Sequence, residues 1–402
     1  SFIAQQAFYR YSFVAVPIHE LRNNGLLIEV VNQTKLKAIL ISDKALPLLL
    51  ESLQDCTSVK TIITTGIYIS KAQEELAQKH GVKILKFGSV EYDGSHQILD
   101  PVTPDPEDLA MINYSTKSKS LSKGVMLTHG NLVAAMTAFN ASLPFAKRIN
   151  SKDRFISHFS NGDVISVWLS SAVLLEGGSL IFPSGLMKNV LYDVQATHPT
   201  IFASTPVILE KTHEALHATY GKGSLFQKAF VAKKAILQSG RITQTSLWDF
   251  IGLGELRSRL GGKTRLMVTT WIPVVSVYGR TEASGLVTCR NMLDYSTVPY
   301  LGGPAGCNEI KLKDDAQSGY ACTDEPLPRG EVLIRGPNVM RGYFKKPSAT
   351  STAIDQDGWL HTFDLGGLHA NGALEILGTM KKPKSTLGVV GSASPSSGDV
   401  KE

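Results

Sequence analysis

The chain has 402 residues, 43% of them apolar and 19% charged, with a formal net charge of +6. This composition excludes collagen, coiled-coil and wholly disordered proteins, and the length predicts two or three structural units. The four cysteines form no CxxC pair, which argues against a zinc ribbon or a thioredoxin-like site and favours a reducing compartment. Because the sequence opens at Ser1 without a methionine, we expect it to be part of a longer chain.

The first hundred residues alternate short apolar strands with helices. The predicted elements, in chain order, are a strand at 37–42, a helix at 44–54, a strand at 61–65, a helix at 71–80 and a strand at 82–87. Ser42 and Asp43 are candidate caps for the first of these helices. Continuous apolar strands separated by amphipathic helices are typical of a parallel, doubly wound sheet.

A linker follows at Asp100–Pro106, since three prolines in seven residues preclude regular structure. Beyond it, helices are predicted at 130–145 and at 206–219, the second with Thr205 as its N-cap. From residue 301 glycine and proline become frequent, and short strands such as 331–335 and 374–377 predict a smaller all-β unit. The predicted division is a first α/β subdomain at 1–100, a second at 101–300 with the phosphate loop described below, a β-rich subdomain at 301–382 and a disordered tail at 383–402.

The apolar run Val164–Phe182 is nearly long enough to cross a bilayer. However, Glu176 and the two glycines after it interrupt the run. We therefore predict a buried helix, a glycine turn and a buried strand in place of a membrane span.

The first segment that suggests chemistry is Tyr114–Asn131. A loop rich in serine and threonine follows an apolar strand and ends in Lys123 and Gly124 before a helix. Hydroxyls, backbone N–H groups and a lysine can converge on an anion there, so the pattern suits phosphate. It lacks the Gly-x4-Gly-Lys-Ser/Thr spacing of the P-loop, and a polar surface loop explains it about as well.

Two later segments place a carboxylate near hydroxyl groups. In Val277–Gly285, Glu282 follows Thr281 at a strand-to-loop junction, which can hold a divalent cation or a ribose. In Asp357–Gly367, Asp364 is a suitable acceptor for a ribose diol. Taken singly, each segment can equally be a turn at a domain edge.

Together and in this order, the three segments resemble the adenylate-forming superfamily, whose members bind AMP, and within it the long-chain fatty-acid acyl-CoA synthetases. The resemblance extends from about residue 4 to residue 382. Further matching stretches lie at 11–18, 198–202 with Pro206, 302–304 with 307–312, 328–332 with 336–338, and 342–344.

The resemblance implies an α/β fold with two doubly wound α/β subdomains and a small β-barrel subdomain. A mobile C-terminal domain normally follows, and we expect it to be absent from this chain. The implied reaction activates a fatty acid with ATP to an acyl-adenylate, which then passes its acyl group to coenzyme A. ATP, Mg2+ and coenzyme A are thus the implied cofactors, because a carboxylate is a poor acyl donor until it is joined to phosphate.

The resemblance also assigns roles to residues of this sequence. The phosphate loop spans 115–123 and contributes Ser115, Thr116, Ser118 and Lys123. Tyr278 faces the adenine, Thr281 contacts phosphate, Glu282 binds Mg2+ and Asp364 binds the ribose. Thr281 and Glu282 are accordingly the catalytic candidates.

Several positions depart from the family pattern in the phosphate loop. Lys117 and Ser120 stand where the family has glycines, Lys119 replaces a threonine and Ser122 replaces a proline. Glycines let backbone N–H groups approach phosphate closely, so we expect a misshapen loop that the added lysines compensate only in part.

Other departures lie outside that loop. Asp163 stands where the family has a histidine, Trp271 fills a position normally held by a small residue, and Phe363 replaces the glycine of a His-Thr-Gly-Asp motif. At the hinge, Thr379 and Met380 replace Asp-Arg, so an arginine that would contact phosphate is missing. Only residues 274–277 separate Pro273 from Tyr278, too few for the family's strand–helix–strand crossover.

These observations leave three hypotheses. The chain is a long-chain fatty acid–CoA ligase with impaired activity, a catalytically inactive pseudo-synthetase kept as a binding, scaffold or complex subunit, or the product of a damaged gene. Losing one phosphate donor commonly lowers a rate by about two to three orders of magnitude, so the departures weigh against full turnover.

The positive charge is concentrated in Lys222–Arg265, where nine basic residues face two acidic ones for a local charge of +7. The apolar residues between them predict amphipathic helices. Either these helices lie on a membrane surface, which suits a fatty-acid substrate, or their basic residues form an ordinary solvated surface.

No nucleic-acid partner is expected. The resemblance implies an intracellular location, at the cytosolic face of the endoplasmic reticulum or of a mitochondrial or peroxisomal membrane.

Overall fold

The structure, a computed structural model, describes residues 2–18, 24–114, 123–159, 162–185, 189–204, 214, 218, 224–239, 246–251, 254–259, 261–269, 275–291, 294 and 300–380. The α-helices are α1 Phe2–Arg10, α2 Asn24–Thr34, α3 Leu46–Glu51, α4 Lys71–Lys79, α5 Phe87–His96, α6 His129–Ser142, α7 Val164–Leu175, α8 Val190–Thr197, α9 Ser224–Gln238, α10 Leu247–Ile251, α11 Gly254–Arg259 and α12 Pro347–Ala353. The strands are β1 Ala38–Ile41, β2 Thr61–Thr64, β3 Lys83–Lys86, β4 Leu109–Tyr114, β5 Gly124–Thr128, β6 Arg154–Ile156, β7 Ser179–Ile181, β8 Ile201–Ser204, β9 Leu266–Thr269, β10 Val275–Tyr278, β11 Thr288–Cys289, β12 Gly303–Pro304, β13 Glu309–Lys313, β14 Arg329–Arg335, β15 Gly342–Tyr343, β16 Leu360–Leu368 and β17 Leu374–Thr379.

The first subdomain contains the predicted parallel sheet. Its three strands are hydrogen-bonded in the order β1-β2-β3, and both pairs run parallel. Leu27, Leu49 and Ile62 are fully buried in a separate apolar core between this sheet and its helices. Helix α4 begins with a capping box, in which Ser70 and Gln73 each accept a hydrogen bond from the other's backbone N–H.

The predicted cap of α3 is wrong. The helix begins after Ala45, whose side chain makes no capping hydrogen bond. The backbone carbonyl of Ser42 instead accepts from the N–H groups of Ala45 and Leu46, so Ser42–Ala45 forms a turn that delays the helix start. The helix also ends at Glu51, and a short 3-10 helix at Leu53–Asp55 replaces its predicted last turn.

The central sheet has seven strands in the order β12-β11-β10-β9-β8-β6-β7. The strands from β7 to β10 are parallel, whereas β11 pairs in antiparallel fashion with both β10 and β12. The segment after Asp163 is the buried helix, glycine turn and strand that the sequence predicts. Its strand β7 is only partly buried, contrary to the prediction, because it lies at the edge of the sheet.

In the part of the chain that the structure describes, no helix combines the length and apolarity that a membrane span requires. The longest, α9, has 15 residues, against about 20 for a transmembrane helix.

Strands β9 and β10 are parallel neighbours although only five residues join them. Val275 pairs with Val268 and Ser276 with Thr269, so the strands overlap over two residue pairs. Because of this stagger the chain returns by only one residue along the sheet before β10 begins. The connection is too short for a strand–helix–strand crossover, but it is compatible with parallel pairing. Residues 270–274, including Trp271, lie outside the described residues.

The β-rich part forms a four-stranded antiparallel sheet in the order β13-β14-β16-β17. A second small sheet, β15-β5-β4, joins this region to the phosphate-loop strands. One large apolar core connects both regions, from Phe139 and Trp168 under the central sheet to Leu360 and Leu374.

The linker at 100–106 contains neither helix nor strand, as predicted. The predicted helix at 206–219 and the tail at 383–402 lie outside the described residues, apart from positions 214 and 218.

The basic stretch 222–265 is not one exposed face. Lys233 is largely buried and forms an ion pair with Asp249 at 2.8 Å. Arg265 binds Asp153, whose carboxylate also accepts from Thr200 Oγ1 at 2.6 Å and from the N–H of Asn150 at 3.0 Å. These contacts tie together the amino ends of β6, β8 and β9, so Arg265 belongs to the sheet.

Candidate functional site

The candidate site lies beyond the carboxyl end of β10, where ligands bind in open α/β sheets. Four predicted site residues occur there: Tyr278 ends the strand, Thr281 and Glu282 follow in a 3-10 helix, and Asp364 comes from β16. Tyr278 and Asp364 are joined directly by a hydrogen bond of 2.5 Å. Ser115, Thr116 and Ser118 lie outside the described residues, as do the lysines at 117 and 119.

A tight loop from Gly279 to Gly285 presents Thr281 and Glu282. A Cβ atom added to Gly279 would lie 1.9 Å from the carbonyl oxygen of Gly285, so only glycine fits where the two ends of the loop meet. The N–H of Gly285 closes the loop by donating to the carbonyl of Arg280 at 2.8 Å. Glu282 is therefore held close to the end of β10.

Buried side chains from other elements fix the backbone of this loop. Trp168 Nε1 on α7 donates to the carbonyl of Ser284 at 3.0 Å. Asn338 Nδ2 donates to the carbonyls of Ala283 at 3.0 Å and Leu286 at 2.6 Å. The N–H of Met340 donates to the carbonyl of Glu282 at 2.8 Å. Fixed backbone of this kind keeps a site carboxylate in one place before any ligand arrives.

Asp364 is presented by a bulge in β16. Leu333 pairs with His361 and Glu331 with Leu365, so two steps along β14 face four along β16. Thr362 Oγ1 donates to the carbonyl of Val332 at 2.7 Å and accepts from the N–H of Asp364 at 3.1 Å. The bulge thereby turns Asp364 towards Tyr278.

The buried carboxylate of Glu331 holds the same bulge from the other side. Its Oε1 accepts from the N–H of Phe363 at 3.2 Å, and its Oε2 lies 3.0 Å from Nδ1 of His361. Phe363 has a φ of +58°, a left-handed conformation that is uncommon for a bulky residue. The glycine that the family has at this position would adopt it without strain. The departure at residue 363 therefore changes backbone strain while Asp364 stays in place.

We expect Phe363→Gly to be more stable than Phe363→Ala by about 1 kcal/mol, because alanine keeps the Cβ that disfavours positive φ and glycine does not. Both variants lose the aromatic ring, so the difference between their free energies of unfolding reports the backbone strain alone. Urea denaturation of the two proteins measures this difference. Leu377 in β17 provides the control, since Leu377→Gly at an ordinary strand position should be less stable than Leu377→Ala. If the alanine variant at residue 363 is as stable as the glycine variant, the backbone at this residue is not strained.

Arg280 lies between the two carboxylates of the site. Its Nη1 donates to Asp364 Oδ2 at 2.7 Å, and its Nε lies 3.8 Å from Glu282 Oε2. Glu282 Oε1 accepts from the hydroxyl of Tyr343 at 3.0 Å. The result is a connected row of side chains from Asp364 through Arg280 and Glu282 to Tyr343.

The pKa values of Tyr278, Tyr343 and Arg280 are all raised. Burial raises the pKa of Tyr278 and the nearby Asp364 carboxylate raises it further, so its hydroxyl remains a donor. Burial and Glu282 raise the pKa of Tyr343 in the same way. For Arg280, burial alone would lower the pKa, but Glu282 and Asp364 outweigh it and raise the pKa.

Lys123 meets the row at its far end. The side chain is exposed, and its Nζ lies 4.5 Å from the centroid of the Tyr343 ring. The last residue of the predicted phosphate loop is thus beside the residue that binds Glu282. Asp163, where the family has a histidine, is instead an N-cap whose Oδ1 accepts from the N–H of Ile165 at 3.1 Å.

Sequence reasoning missed three members of the site. Arg280, Glu331 and Tyr343 all stand in stretches that match the family, but none was given a role. Arg280 could have been found from the sequence, because it stands between Tyr278 and Glu282 in one short loop. The contacts of the other two depend on pairing between distant segments, which the local sequence does not specify.

Comparisons with known proteins identify the family of this chain. A family model of AMP-binding enzymes matches residues 1–344. Long-chain-fatty-acid–CoA ligase 1 of Cavia porcellus is 32% identical to 94% of this chain, which covers 57% of that protein. Long chain acyl-CoA synthetase 6, peroxisomal, of Arabidopsis thaliana is 30% identical to 94% of this chain, covering 56% of that protein. The chain thus spans a little over half the length of these relatives.

Solved structures show the same fold. The A-PCP didomain of a carboxylic acid reductase from Segniliparus rugosus, in complex with AMP, has a TM-score of 0.71 at 19% identity. The match covers 94% of this chain and 53% of that one. The expected mixed α/β adenylate-forming architecture is confirmed, as is the resemblance to acyl-CoA synthetases. Because the family model covers most of its length, this chain belongs to the family of AMP-binding enzymes.

Proposed function

We propose that this chain is the nucleotide-binding part of a long-chain fatty acid–CoA ligase-like protein with impaired adenylation. The observation that carries the proposal is the arrangement of Asp364, Arg280 and Glu282 beyond the carboxyl end of β10. The names of the relatives support a long-chain fatty acid as the carboxylate and coenzyme A as the acceptor.

The described residues fit an adenine nucleotide. Asp364 Oδ2 is held by Tyr278 and Arg280, whereas within the described parts of the chain Oδ1 receives a longer hydrogen bond, 3.3 Å, from Thr379. Oδ1 is therefore the oxygen that would accept a ribose hydroxyl. Tyr278 keeps this carboxylate oriented, and Thr281, which begins the 3-10 helix that contains Glu282, would contact the phosphates.

The same residues fit a magnesium ion that arrives with its nucleotide. Among the residues that the structure describes, no group of three or more His, Cys, Asp or Glu side chains could hold a metal. Mg2+ usually keeps several waters and binds through one or two carboxylates together with substrate phosphates, so Glu282 alone is sufficient. When bound, the ion would neutralise developing phosphate charge. Glu282 would hold it, with Tyr343 fixing the carboxylate orientation.

The impairment rests on sequence departures around this site. The loop at 115–123 has lysine and serine where glycines would let backbone N–H groups reach phosphate. Thr379, which hydrogen-bonds to Asp364, stands in a hinge that lacks its arginine. The alternative proposal is a catalytically inactive pseudo-synthetase that retains ligand binding as a scaffold or complex subunit.

Calorimetric titration with ATP-Mg2+ and with palmitate, alongside an assay of pyrophosphate release, tests the proposal. We expect nucleotide binding with slow pyrophosphate release that depends on the fatty acid. Binding without any release would favour the pseudo-synthetase. No binding of either ligand would overturn both.

One surface favours a membrane as a further partner, and we propose that it lies against the cytosolic face of an organelle membrane. On α9, Leu225, Phe230 and Val231 are more than half exposed, and Lys228 and Lys234 are exposed beside them. Exposed apolar and basic residues on the solvent side of one helix suit an anionic lipid surface. Lys233 is excluded from this face because it binds Asp249.

We expect the double variant Lys228→Glu/Lys234→Glu to lose at least about tenfold in affinity for vesicles containing phosphatidylserine, since each basic residue near such a surface contributes about 1 kcal/mol. Vesicle co-sedimentation in low salt measures it. Lys79→Glu/Lys83→Glu is the matched control, because it reverses two exposed lysines in the first subdomain. Equal losses in the two double variants would contradict a specific α9 surface.

A further inference from the structure

Arg280 contacts both carboxylates that the proposed function assigns to the nucleotide and its metal. Its side chain is about 30% exposed, while those of Glu282 and Asp364 are 16% and 12% exposed. The guanidinium donates to one carboxylate at 2.7 Å and lies 3.8 Å from the other. A single positive charge thus lies between two carboxylates, in side chains that are only partly exposed to solvent.

We propose that Arg280 is a built-in counter-ion that competes with Mg2+ for Glu282 and must move aside before the metal binds. The inference rests on the proposed function in taking Glu282 as the metal ligand. A guanidinium and a divalent cation repel each other, and both are attracted to the same oxygen, Glu282 Oε2. Arginine suits this role because its charge is permanent and its planar group carries five donors in fixed directions.

The backbone beside Arg280 is fixed by contacts that do not involve the guanidinium. Arg280 follows Gly279 in a loop whose backbone is held by Asn338 and Met340, so its side chain can move without disturbing Glu282. When it moves away from Glu282, it can keep its hydrogen bond to Asp364 or turn towards the phosphates that replace it. In the free chain, the guanidinium therefore lies beside the carboxylate that the proposed function gives to the metal.

Terbium luminescence tests the competition without nucleotide or turnover. Tb3+ binds carboxylates as a stand-in for the hard divalent cation, and a nearby tyrosine sensitises its emission. The Tyr343 hydroxyl lies 3.0 Å from Glu282 Oε1, so tyrosine-sensitised emission reports an ion at this carboxylate. We expect Arg280→Gln to bind Tb3+ at least about tenfold more tightly than the unsubstituted chain, and Arg280→Lys to stay within about threefold of it, because the charge remains.

Matched variants make the result specific. Arg329→Gln removes an arginine that pairs with Asp324 in the β-rich sheet and should leave Tb3+ emission unchanged. Arg280→Gln/Glu282→Gln should lose the gained affinity. If Arg280→Gln is poorly folded, Arg280→Gln/Asp364→Asn removes one carboxylate together with the guanidinium and should still bind Tb3+ more tightly than Asp364→Asn. No gain in the Arg280→Gln proteins, or a gain that survives loss of Glu282, would overturn the proposal.

The two proposals fail in different ways. Tighter Tb3+ binding by Arg280→Gln, with no binding of ATP-Mg2+ by either protein, would support the counter-ion and overturn the proposed nucleotide function. Nucleotide binding by both proteins with unchanged Tb3+ affinity would support the function and overturn the counter-ion.

Discussion

The substitution Asp364→Asn is expected to weaken adenine-nucleotide binding by about 100-fold, since hydrogen bonds to a charged group contribute about 1.5–3 kcal/mol each. Asparagine keeps the shape of the side chain but removes the charge that attracts both Arg280 and a ribose hydroxyl. The loss should appear as a larger Kd in calorimetric titration with ATP-Mg2+. Nucleotide affinity equal to that of the unsubstituted chain would show that Asp364 does not bind the ribose.

The control for this substitution is Asp324→Asn. Asp324 also pairs with an arginine, Arg329, at 2.9 Å, but it lies in a turn of the β-rich region away from Tyr278. It should leave the nucleotide affinity within about twofold of the original. Near-ultraviolet circular dichroism of both variants separates a lost contact from a lost fold.

The largest expected effect on stability comes from Asp153→Asn, at about 3–5 kcal/mol in free energy of unfolding, because it leaves a partly buried guanidinium without its partner. Asp153 is 2% exposed and binds Arg265, Thr200 and Asn150 at the amino ends of three sheet strands. Urea denaturation at neutral pH measures the difference. Glu309→Gln breaks the exposed pair with Arg335 and should cost less than about 1 kcal/mol. A similar small cost for Asp153→Asn would contradict a structural role for the buried pair.

The same residue predicts a pH dependence. Burial opposes ionisation of Asp153, but hydrogen bonds from Arg265, Thr200 and Asn150 outweigh it and lower the pKa. A carboxyl group whose pKa is lower in the folded chain stabilises the fold at pH values above its unfolded-state pKa, about 3.9. This stabilisation is lost as the pH falls through the pKa of the folded chain. The stability difference between the original chain and Asp153→Asn should therefore shrink below about pH 4. A constant difference from pH 7 to pH 3 would contradict the lowered pKa.

Much of the local structure could be predicted from short stretches. The strand at 61–65 and the helix at 71–80 were identified within one or two residues, because continuous apolar runs and amphipathic spacing are local signals. The cap of α3 was missed because a turn at Ser42 competes with the helix start, and both conformations suit the same residues. The partial exposure of β7 depended on its position at the sheet edge, which only strand pairing determines.

The candidate site divides in the same way. Tyr278, Thr281, Glu282 and Asp364 were recognised because each stands in a short motif whose residue types match the family. The sequence also showed that residue 363 is not glycine, but the left-handed conformation there, with Asp364 still placed towards Tyr278, appears only in the folded chain. The contact of Arg280 with residues on two elements likewise joins positions 84 residues apart in the chain.

The fold divides the basic residues at 222–265 into paired and exposed ones. By itself the sequence determined the family, the α/β class and a local excess of positive charge at 222–265, because composition, motif order and apolar periodicity are properties of the chain alone. Only the tertiary structure decided which of those charges are available. Arg265 and Lys233 are engaged by Asp153 and Asp249, whereas Lys228 and Lys234 remain exposed. The physical reason is that a charge is neutralised by partners within a few ångströms, and folding brings those partners together from distant parts of the sequence.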